Sequence, residues 1–342
     1  MKKIYDLSYY DYEVPEALIA QRPLSERDAC RLLVLERKTG RMTHDFFYNI
    51  GGYMAAGDCL VLNDTRVIPA RLYGKTETGA KIEILILGRK EGSIWEVMMK
   101  NSRRAAENCE VFFDNDIRMT VLSKKGKTAE VSFNMDESLL LKTLRQNGII
   151  PLPPYIKENA LDASHRDSYQ TVYASNEGAK AAPTAGLHFT ARLLRSLENA
   201  GVRKAFVTLH VGMGTFEPVV EADIRKHNMH TEEYTVTQEA AGIINSCKGR
   251  KIACGTTSLR VLESSVKAGK IVPGSGRTGI YIYPGYSFAA TDGLITNFHL
   301  PKTTLLALVY AFAGEKNAKK AYDEAIRKKY RLFSYGDAML II

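Results

Sequence analysis

Hydrophobic and polar residues follow two different patterns along the 342-residue chain. Between Cys59 and Phe133, short alternating or β-branched runs such as Lys81–Gly88 and Thr128–Phe133 are separated by clusters of Gly, Asn, Asp or Lys. Alternation with a period of two places side chains on opposite faces of a strand, and frequent turn residues favour antiparallel pairing. This part of the chain therefore predicts a small antiparallel barrel or sandwich.

The pattern changes at the end of this block. Helical spacing predicts a helix from Glu137 to Gln146, which Gly148 stops. Three prolines, Pro151, Pro153 and Pro154, then make a stiff extended connector, because proline cannot continue a helix.

Beyond the connector, strands alternate with helices. The predicted helices are Thr190–Asn199, Gln238–Cys247, Ser258–Lys267, Thr303–Ala313 and Asn317–Lys329, and the predicted strands are Lys204–Val211, Lys251–Thr256, Thr278–Tyr283 and Gly293–Phe298. This alternation is typical of α/β folds with partly parallel strands. Strand-like segments also occur at Arg31–Arg37 and Met42–Phe47. We therefore predict a large α/β domain (residues 1–60 and 151–342) with an inserted small antiparallel β-barrel domain (residues 61–150).

Glycine, hydroxyl and histidine residues gather where the predicted strands of the α/β domain end. They lie in the segments Ala182–Thr190, Leu209–Gly212, Gly255–Arg260, Tyr283–Tyr286 and Thr296–Pro301. Each one alone is a common helix cap or turn. Because the carboxyl ends of parallel strands form the ligand crevice of an α/β sheet, the five together predict a small-molecule site.

Composition and charge restrict the class of protein. Hydrophobic residues at 45% and charged residues at 25% are ordinary globular values. The five cysteines form no C-x-x-C pair, which argues against a disulfide framework and favours a reducing compartment. No secretory leader is evident, and the longest apolar run, Thr303–Gly314, is too short to span a bilayer. We expect a cytoplasmic protein without a membrane segment.

The net charge of +9 suits a polyanionic partner, although a solvated basic surface is the plainer explanation. Basic residues are concentrated in the β-rich block, and a second group follows residue 315. Such patches contact phosphates without sequence specificity.

Three familiar motifs are incomplete. Val211–Glu217 contains G-x-G but lacks the third glycine of a dinucleotide fingerprint, and Ile280 replaces the lysine of a phosphate-binding loop. His227, His230 and Glu232 have metal-ligand spacing without a further ligand at known spacing. A metal site there stays open as an alternative to substrate-contacting or structural histidines.

Long, irregular strings make the chain similar to the S-adenosylmethionine:tRNA ribosyltransferase-isomerase family of the queuosine pathway. Besides the strand-end motifs and the His227–Glu232 segment, they are Tyr5–Leu7, Leu18–Gln21, Leu62–Arg71, Pro151–Ile156, Tyr169–Ala174 and Tyr335–Ile341. The resemblance implies an α/β domain with an inserted barrel. The chain departs from the family pattern at His165–Ser168 and at Lys180, where a small or apolar residue is expected.

The resemblance implies that the ribosyl group of S-adenosylmethionine is transferred to 7-aminomethyl-7-deazaguanine, the wobble base of a tRNA anticodon, and rearranged. Epoxyqueuosine forms while adenine and methionine leave. The sulfonium is both activator and leaving group, so a co-substrate suffices and we expect no permanently bound cofactor or metal. We further expect a monomer.

Candidate roles follow from this reaction. A base near neutral pKa should remove a proton beside the sulfonium, and the candidates are His210, placed first, His188 and His299. The sulfonium should lie against carboxylates or against aromatic rings, such as Phe216, Tyr283, Tyr286 or Phe298. The candidates for S-adenosylmethionine binding are Thr184, Gly186, Gly212, Thr256, Ser258, Arg260, Tyr283, Asn297 and Phe298, with Arg260 for the methionine carboxylate. Those for tRNA are Asp64, Arg66, Arg71, Lys100, Arg103 and Arg104.

Two further classes of function remain as alternatives. A non-catalytic RNA-binding protein would also be basic, but it would not need the strand-end histidines and glycines. A methyltransferase would use the same co-substrate, but no glycine-rich loop follows the first strand of a doubly wound domain.

Overall fold

The computed structural model describes residues 3–157, 161–212, 214 and 218–342. Its α-helices are α1 (Glu137–Asn147), α2 (His165–Ser168), α3 (Ala191–Asn199), α4 (Gln238–Asn245), α5 (Gly255–Ser265), α6 (Thr304–Ala313) and α7 (Glu315–Arg327). Its strands are β1 (Arg31–Leu35), β2 (Met42–Phe46), β3 (Cys59–Asn63), β4 (Thr65–Val67), β5 (Arg71–Thr76), β6 (Lys81–Arg89), β7 (Ile94–Lys100), β8 (Glu110–Phe113), β9 (Arg118–Lys125), β10 (Thr128–Phe133), β11 (Asn176–Ala179), β12 (Arg203–Leu209), β13 (Glu232–Val236), β14 (Lys251–Cys254), β15 (Val266–Lys267), β16 (Lys270–Ile271), β17 (Gly274–Thr278), β18 (Gly293–Asn297) and β19 (Ala338–Ile341).

A nine-stranded mixed sheet has the order β17-β13-β12-β3-β14-β18-β19-β1-β2. Its middle strands β12, β3, β14 and β18 are parallel neighbours. Parallel strands need crossover connections that cover both faces of the sheet, so the strands themselves become apolar throughout. All residues of β3 are accordingly buried.

Alternate residues of these strands face two separate hydrophobic cores. In β1, Leu33 and Leu35 belong to one core, and Leu32 and Val34 belong to the other. Helices α4 to α7 supply apolar side chains to the first core, and α3 supplies them to the second. The result is a sheet between two layers of helices.

The β-rich block forms a closed barrel with the order β10-β7-β6-β5-β8-β9, in which every pair is antiparallel. Buried and partly exposed residues alternate along β7 and β10. Closure removes the unpaired edges that an open sheet would expose. Helix α1 follows, with the Asp136 carboxylate accepting a hydrogen bond from the backbone N–H of Leu139 at 2.8 Å.

The chain divides into two compact units. The smaller consists of Val67–Leu152 and Asn159–Tyr169, and the larger consists of Met1–Arg66, Pro153–Glu158 and Gln170–Ile342. The predicted boundary at residue 60 falls inside β3, which lies in the middle of the nine-stranded sheet. A buried parallel strand and a barrel strand have similar apolar sequences, so the pattern alone did not separate β3 from the block that follows it.

The predicted fold class, an α/β domain with an inserted antiparallel barrel, is confirmed. The strand predicted at Thr278–Tyr283 is wrong, because β17 ends at Thr278. Tyr281 and Tyr283 alternate with other residues as in a strand, which led to the prediction. In the structure their rings pack on each other, with centroids 5.1 Å apart. In the described part of the chain, no helix has the length and apolar character needed to cross a membrane.

Candidate active site

Four parallel strands end at the same edge of the large sheet. Asp64 follows β3, His210 follows β12, Gly255 follows β14 and Phe298 follows β18. A glycine suits the turn from β14 into α5, because Gly255 has φ +90°, which is strained for other residues. The topology therefore brings the predicted strand-end motifs to one edge of the sheet.

A cleft opens at this edge. Five of the predicted site residues line it: Thr184, Thr256, Asn297, Phe298 and His299. Tyr155 and Phe333 are also in its lining, with ring centroids 5.0 Å apart. The lining consists of apolar, hydroxyl, amide and imidazole groups, so the cleft suits a neutral ligand with an aromatic face.

Five predicted ligand residues are outside this lining: Gly186, Gly212, Ser258, Arg260 and Tyr283. Two of them, Gly186 and Ser258, have structural surroundings. A Cβ atom at Gly186 would collide with the hydroxyl of Tyr173, so only glycine fits there. The Ser258 hydroxyl is buried and donates to the carbonyl of Cys254 at 2.8 Å. Both shape the backbone near the cleft, and their contact with a ligand stays a prediction.

His188 lies behind the cleft in a buried network. Its Nδ1 is 3.2 Å from Cys30 Sγ, and its Nε2 is 3.1 Å from Asn297 Nδ2. Burial, with a smaller contribution from the Arg331 charge, lowers the pKa of His188 to about 3. Burial raises the pKa of the Cys30 thiol. Both groups are thus neutral near pH 7, and the network holds Asn297.

His299 lines the cleft directly. Its Nε2 is 2.7 Å from Thr296 Oγ1, and its backbone N–H donates to the Tyr322 hydroxyl at 2.9 Å. Burial lowers its pKa to about 4. His299 is therefore a neutral hydrogen-bonding group at physiological pH.

His210 is half-buried. Its Nδ1 is 2.8 Å from Thr65 Oγ1, and the Thr65 hydroxyl donates to the carbonyl of Asn176 at 3.4 Å. The Thr65 hydroxyl therefore orients the imidazole ring through Nδ1. A Cβ atom at Gly178 would lie 2.7 Å from Nδ1, so glycine makes room for this ring.

Charges around His210 adjust its proton affinity. Burial is the main cause that lowers its pKa, and the Lys180 ammonium lowers it further, while Glu233 and Asp64 oppose them. In the sequence, Lys180 is visible only as a departure from the family pattern. Lys180 is 8% exposed, and burial lowers its pKa to about 8.

Asp64, predicted to contact tRNA, is held by hydrogen bonds at the end of the sheet. Its carboxylate accepts from the Thr208 hydroxyl at 2.7 Å and from Asn176 Nδ2 at 2.9 Å. Its neighbour Asn63 bridges β3 to β12, since it donates to the carbonyl of Leu209 and accepts from its N–H, both at 3.0 Å. Asn63 lies in the string Leu62–Arg71 that carries the family resemblance, but no role was predicted for it.

Arg260 forms a buried ion pair with Glu232, and the side chains are 4% and 6% exposed. The other oxygen of Glu232 accepts from the backbone N–H of Gly212 at 2.8 Å. This pair holds the turn after His210, and the role of Arg260 toward methionine stays a prediction. Tyr283 is half-buried beside Tyr281, and Phe216 lies outside the described residues.

The three residues of the metal alternative, His227, His230 and Glu232, each contact different groups. His227 Nδ1 is 3.3 Å from Glu221, and Glu232 is paired with Arg260. A Cβ atom at Gly214 would lie 2.5 Å from the His230 ring. Within residues 3–157, 161–212, 214 and 218–342, no group of three or more His, Cys, Asp or Glu side chains is placed to hold a metal ion.

The predicted tRNA contacts divide between the two units. Arg66 is exposed in the larger unit. Lys100, Arg103 and Arg104 are exposed in the smaller unit, where Arg71 is half-buried and lies 3.6 Å from Glu83. The contact of these residues with tRNA stays a prediction.

Comparisons with known proteins agree with this architecture. The sequence model of the family described as queuosine biosynthesis protein matches residues 7–341. A relative from Caldanaerobacter subterraneus subsp. tengcongensis, named S-adenosylmethionine:tRNA ribosyltransferase-isomerase, is 50% identical over 341 residues, which cover 98% of this chain and 99% of the relative. A crystal structure of S-adenosylmethionine tRNA ribosyltransferase from Thermotoga maritima matches with a TM-score of 0.56 and 35% identity, over 98% of this chain and 100% of that chain. The chain therefore belongs to the queuosine biosynthesis protein family.

Proposed function

We propose that the chain is an S-adenosylmethionine:tRNA ribosyltransferase-isomerase that acts on 7-aminomethyl-7-deazaguanine at the wobble position of a tRNA anticodon. The ribosyl group leaves S-adenosylmethionine, is rearranged to an epoxycyclopentanediol and becomes bonded to the aminomethyl nitrogen. Adenine, methionine and a proton are released with epoxyqueuosine-tRNA. Family membership supports the reaction class. The structural observation that carries the proposal is the gathering of five predicted residues in one cleft at the strand ends.

His210 is the general base of this proposal. The sulfonium acidifies the neighbouring ribose carbon, and a neutral imidazole has a nitrogen lone pair that can accept that proton. His188 and His299 are poorer acceptors near pH 7, because burial lowers their pKa values to about 3 and about 4. We assign them to hydrogen bonding: His299 within the cleft, and His188 through Asn297.

Removing the Lys180 charge is expected to move the acid limb of kcat/KM to higher pH. Lys180 has a pKa of about 8, so it is charged at the lower pH where His210 titrates, and its charge lowers the pKa of His210. In Lys180→Met that pKa rises, and the base becomes protonated at a higher pH. A pH–rate profile measures the shift. The exposed Lys248→Met is the control, and an acid limb that stays in place in Lys180→Met would remove Lys180 from this role.

Replacing Arg103 and Arg104 with alanine is expected to weaken tRNA binding and to reduce the slope of log K against log salt concentration by about 2, because about one counterion is released for each phosphate contact. Both side chains are exposed on the smaller unit. Titrations at several salt concentrations measure the slope. The control is the double variant Arg195→Ala with Lys248→Ala, which removes the same charge from exposed positions of the larger unit. An equal reduction of the slope in this control and in the Arg103→Ala, Arg104→Ala variant would place the two arginines outside the tRNA contact.

The proposal also covers the location, the oligomeric state and the cofactor requirement of the protein. We propose a cytoplasmic monomer that uses S-adenosylmethionine as co-substrate and needs no permanently bound cofactor. Light scattering of the purified protein tests the oligomeric state, and elemental analysis tests for a bound metal.

The proposal as a whole is tested by incubating the protein with S-adenosylmethionine and tRNA that carries the 7-aminomethyl-7-deazaguanine base, in the presence of a chelator. Mass spectrometry of small molecules and digested nucleosides should find adenine, methionine and epoxyqueuosine in equal amounts. S-adenosylhomocysteine in place of adenine would indicate a methyltransferase. Activity that appears only after zinc is restored would favour the metal alternative, and bound tRNA without either product would favour an RNA-binding protein.

A further inference from the structure

The cleft at the strand ends contains two buried polar atoms that have no hydrogen-bond partner. They are Asn297 Oδ1 and Thr257 Oγ1, and both residues line the cleft. An unpartnered buried polar atom costs free energy, so two of them in one lining indicate that a ligand completes their bonding. The described lining includes no Asp, Glu, Lys or Arg.

The orientation of the Asn297 amide is fixed by its neighbours. Its Nδ2 lies 3.1 Å from the carbonyl oxygen of Phe333 and 3.1 Å from His188 Nε2. A flipped amide would place its oxygen against that carbonyl. Nδ2 therefore uses both hydrogens, His188 Nε2 accepts, and His188 Nδ1–H donates to Cys30 Sγ. Oδ1 remains as an acceptor that needs a donor from the ligand.

We propose that this cleft is the adenine subsite, in which the 6-amino group of adenine donates to Asn297 Oδ1 and the Thr257 hydroxyl donates to a ring nitrogen. This assignment rests on the proposed ribosyl transfer. The aromatic and apolar side chains of Tyr155, Phe298 and Phe333 suit the faces of a purine. The subsite holds adenine in S-adenosylmethionine and takes the same base as it leaves.

Charge decides which part of the substrates occupies the cleft. The methionyl group has an ammonium and a carboxylate, and each would lose hydration without gaining a counter-charge in this lining. The 7-deazaguanine base has a cationic aminomethyl arm and two adjacent N–H donors on its pairing edge. A single unpartnered acceptor with one hydroxyl instead matches adenine, which offers one amino donor beside ring-nitrogen acceptors.

The first test uses free bases as probes of the intact protein. Adenine should bind in equilibrium titrations and should compete with S-adenosylmethionine. Unsubstituted purine lacks the amino donor, and hypoxanthine presents an oxygen to Asn297 Oδ1, so both should bind about tenfold to a hundredfold more weakly. Equal binding of the three bases, or tighter binding of 7-aminomethyl-7-deazaguanine than of adenine, would overturn the assignment.

A matched pair of variants tests the hydroxyl. Thr257→Val keeps the side-chain shape and should weaken adenine binding about threefold to tenfold, because it removes one hydrogen bond. Thr235→Val is the control, since the Thr235 hydroxyl bonds to Ser275 at 2.8 Å and does not line the cleft. Unchanged adenine affinity in Thr257→Val would overturn the assignment of the hydroxyl.

The two proposals fail in different measurements. Release of adenine from S-adenosylmethionine without competition by free adenine would overturn the subsite and keep the ribosyl transfer. Absence of turnover, with the expected order of base affinities, would overturn the ribosyl transfer and keep a purine subsite in the cleft.

Discussion

Replacing His210 with glutamine is expected to lower the rate of adenine release by about 10²- to 10⁴-fold, the usual contribution of a positioned acid–base group. Glutamine keeps a polar side chain that can bond to Thr65, but it has no basic nitrogen. His210 follows the last residue of β12 and is half-buried, so the variant should fold. Single-turnover assays with saturating S-adenosylmethionine measure the loss of rate.

His44→Gln is the matched control, because His44 is exposed on β2 and bonds to Tyr330 and Glu324 outside the cleft lining. Its rate should equal that of the wild type, and both variants should give the wild-type circular dichroism spectrum. A His210→Gln enzyme with near-normal turnover would reject His210 as the base. In that case His299, which lines the cleft, becomes the next candidate.

The sequence was most informative where local pattern decides structure. Helices such as α3 were predicted because their apolar spacing and caps are local, as in the Thr190 hydroxyl that accepts from the N–H of Leu193. The location of β3 was not predicted. Its neighbours β12 and β14 lie more than a hundred residues away in the chain, and its apolar sequence suits the large sheet and the barrel equally.

The candidate site was also predictable where local pattern decides and not where distant residues meet. Strand-end glycines, hydroxyls and histidines were visible in the sequence, because α/β topology places such residues at one edge. The partners that set their chemistry were hidden: Cys30 is 158 residues from His188, and Thr65 is 145 residues from His210. Lys180 was noticed, but its burial and its effect on His210 depend on contacts that no local pattern reports.

Arg260→Met is expected to lower the free energy of unfolding by about 3–5 kcal/mol, because it removes the Arg260 counter-charge from the buried Glu232 carboxylate. The two side chains are almost fully buried, so solvent does not screen the loss. Denaturant titration measures the change as a shift in midpoint. Arg41→Met is the control: its partner Glu36 forms an exposed pair, and exposed pairs often contribute nothing measurable.

The double variant Arg260→Met with Glu232→Gln distinguishes the two roles of Arg260. Glutamine is neutral and still accepts from the Gly212 N–H through its amide oxygen, so we expect stability to recover in part and the turn after His210 to be restored. If Arg260 acts only by holding this turn, affinity for S-adenosylmethionine recovers together with stability, which is the expected result. If Arg260 binds the methionine carboxylate, as the sequence suggested, affinity stays low while stability returns. Calorimetric titration of the single and double variants therefore decides whether this buried arginine contacts the substrate or positions the backbone beside the base.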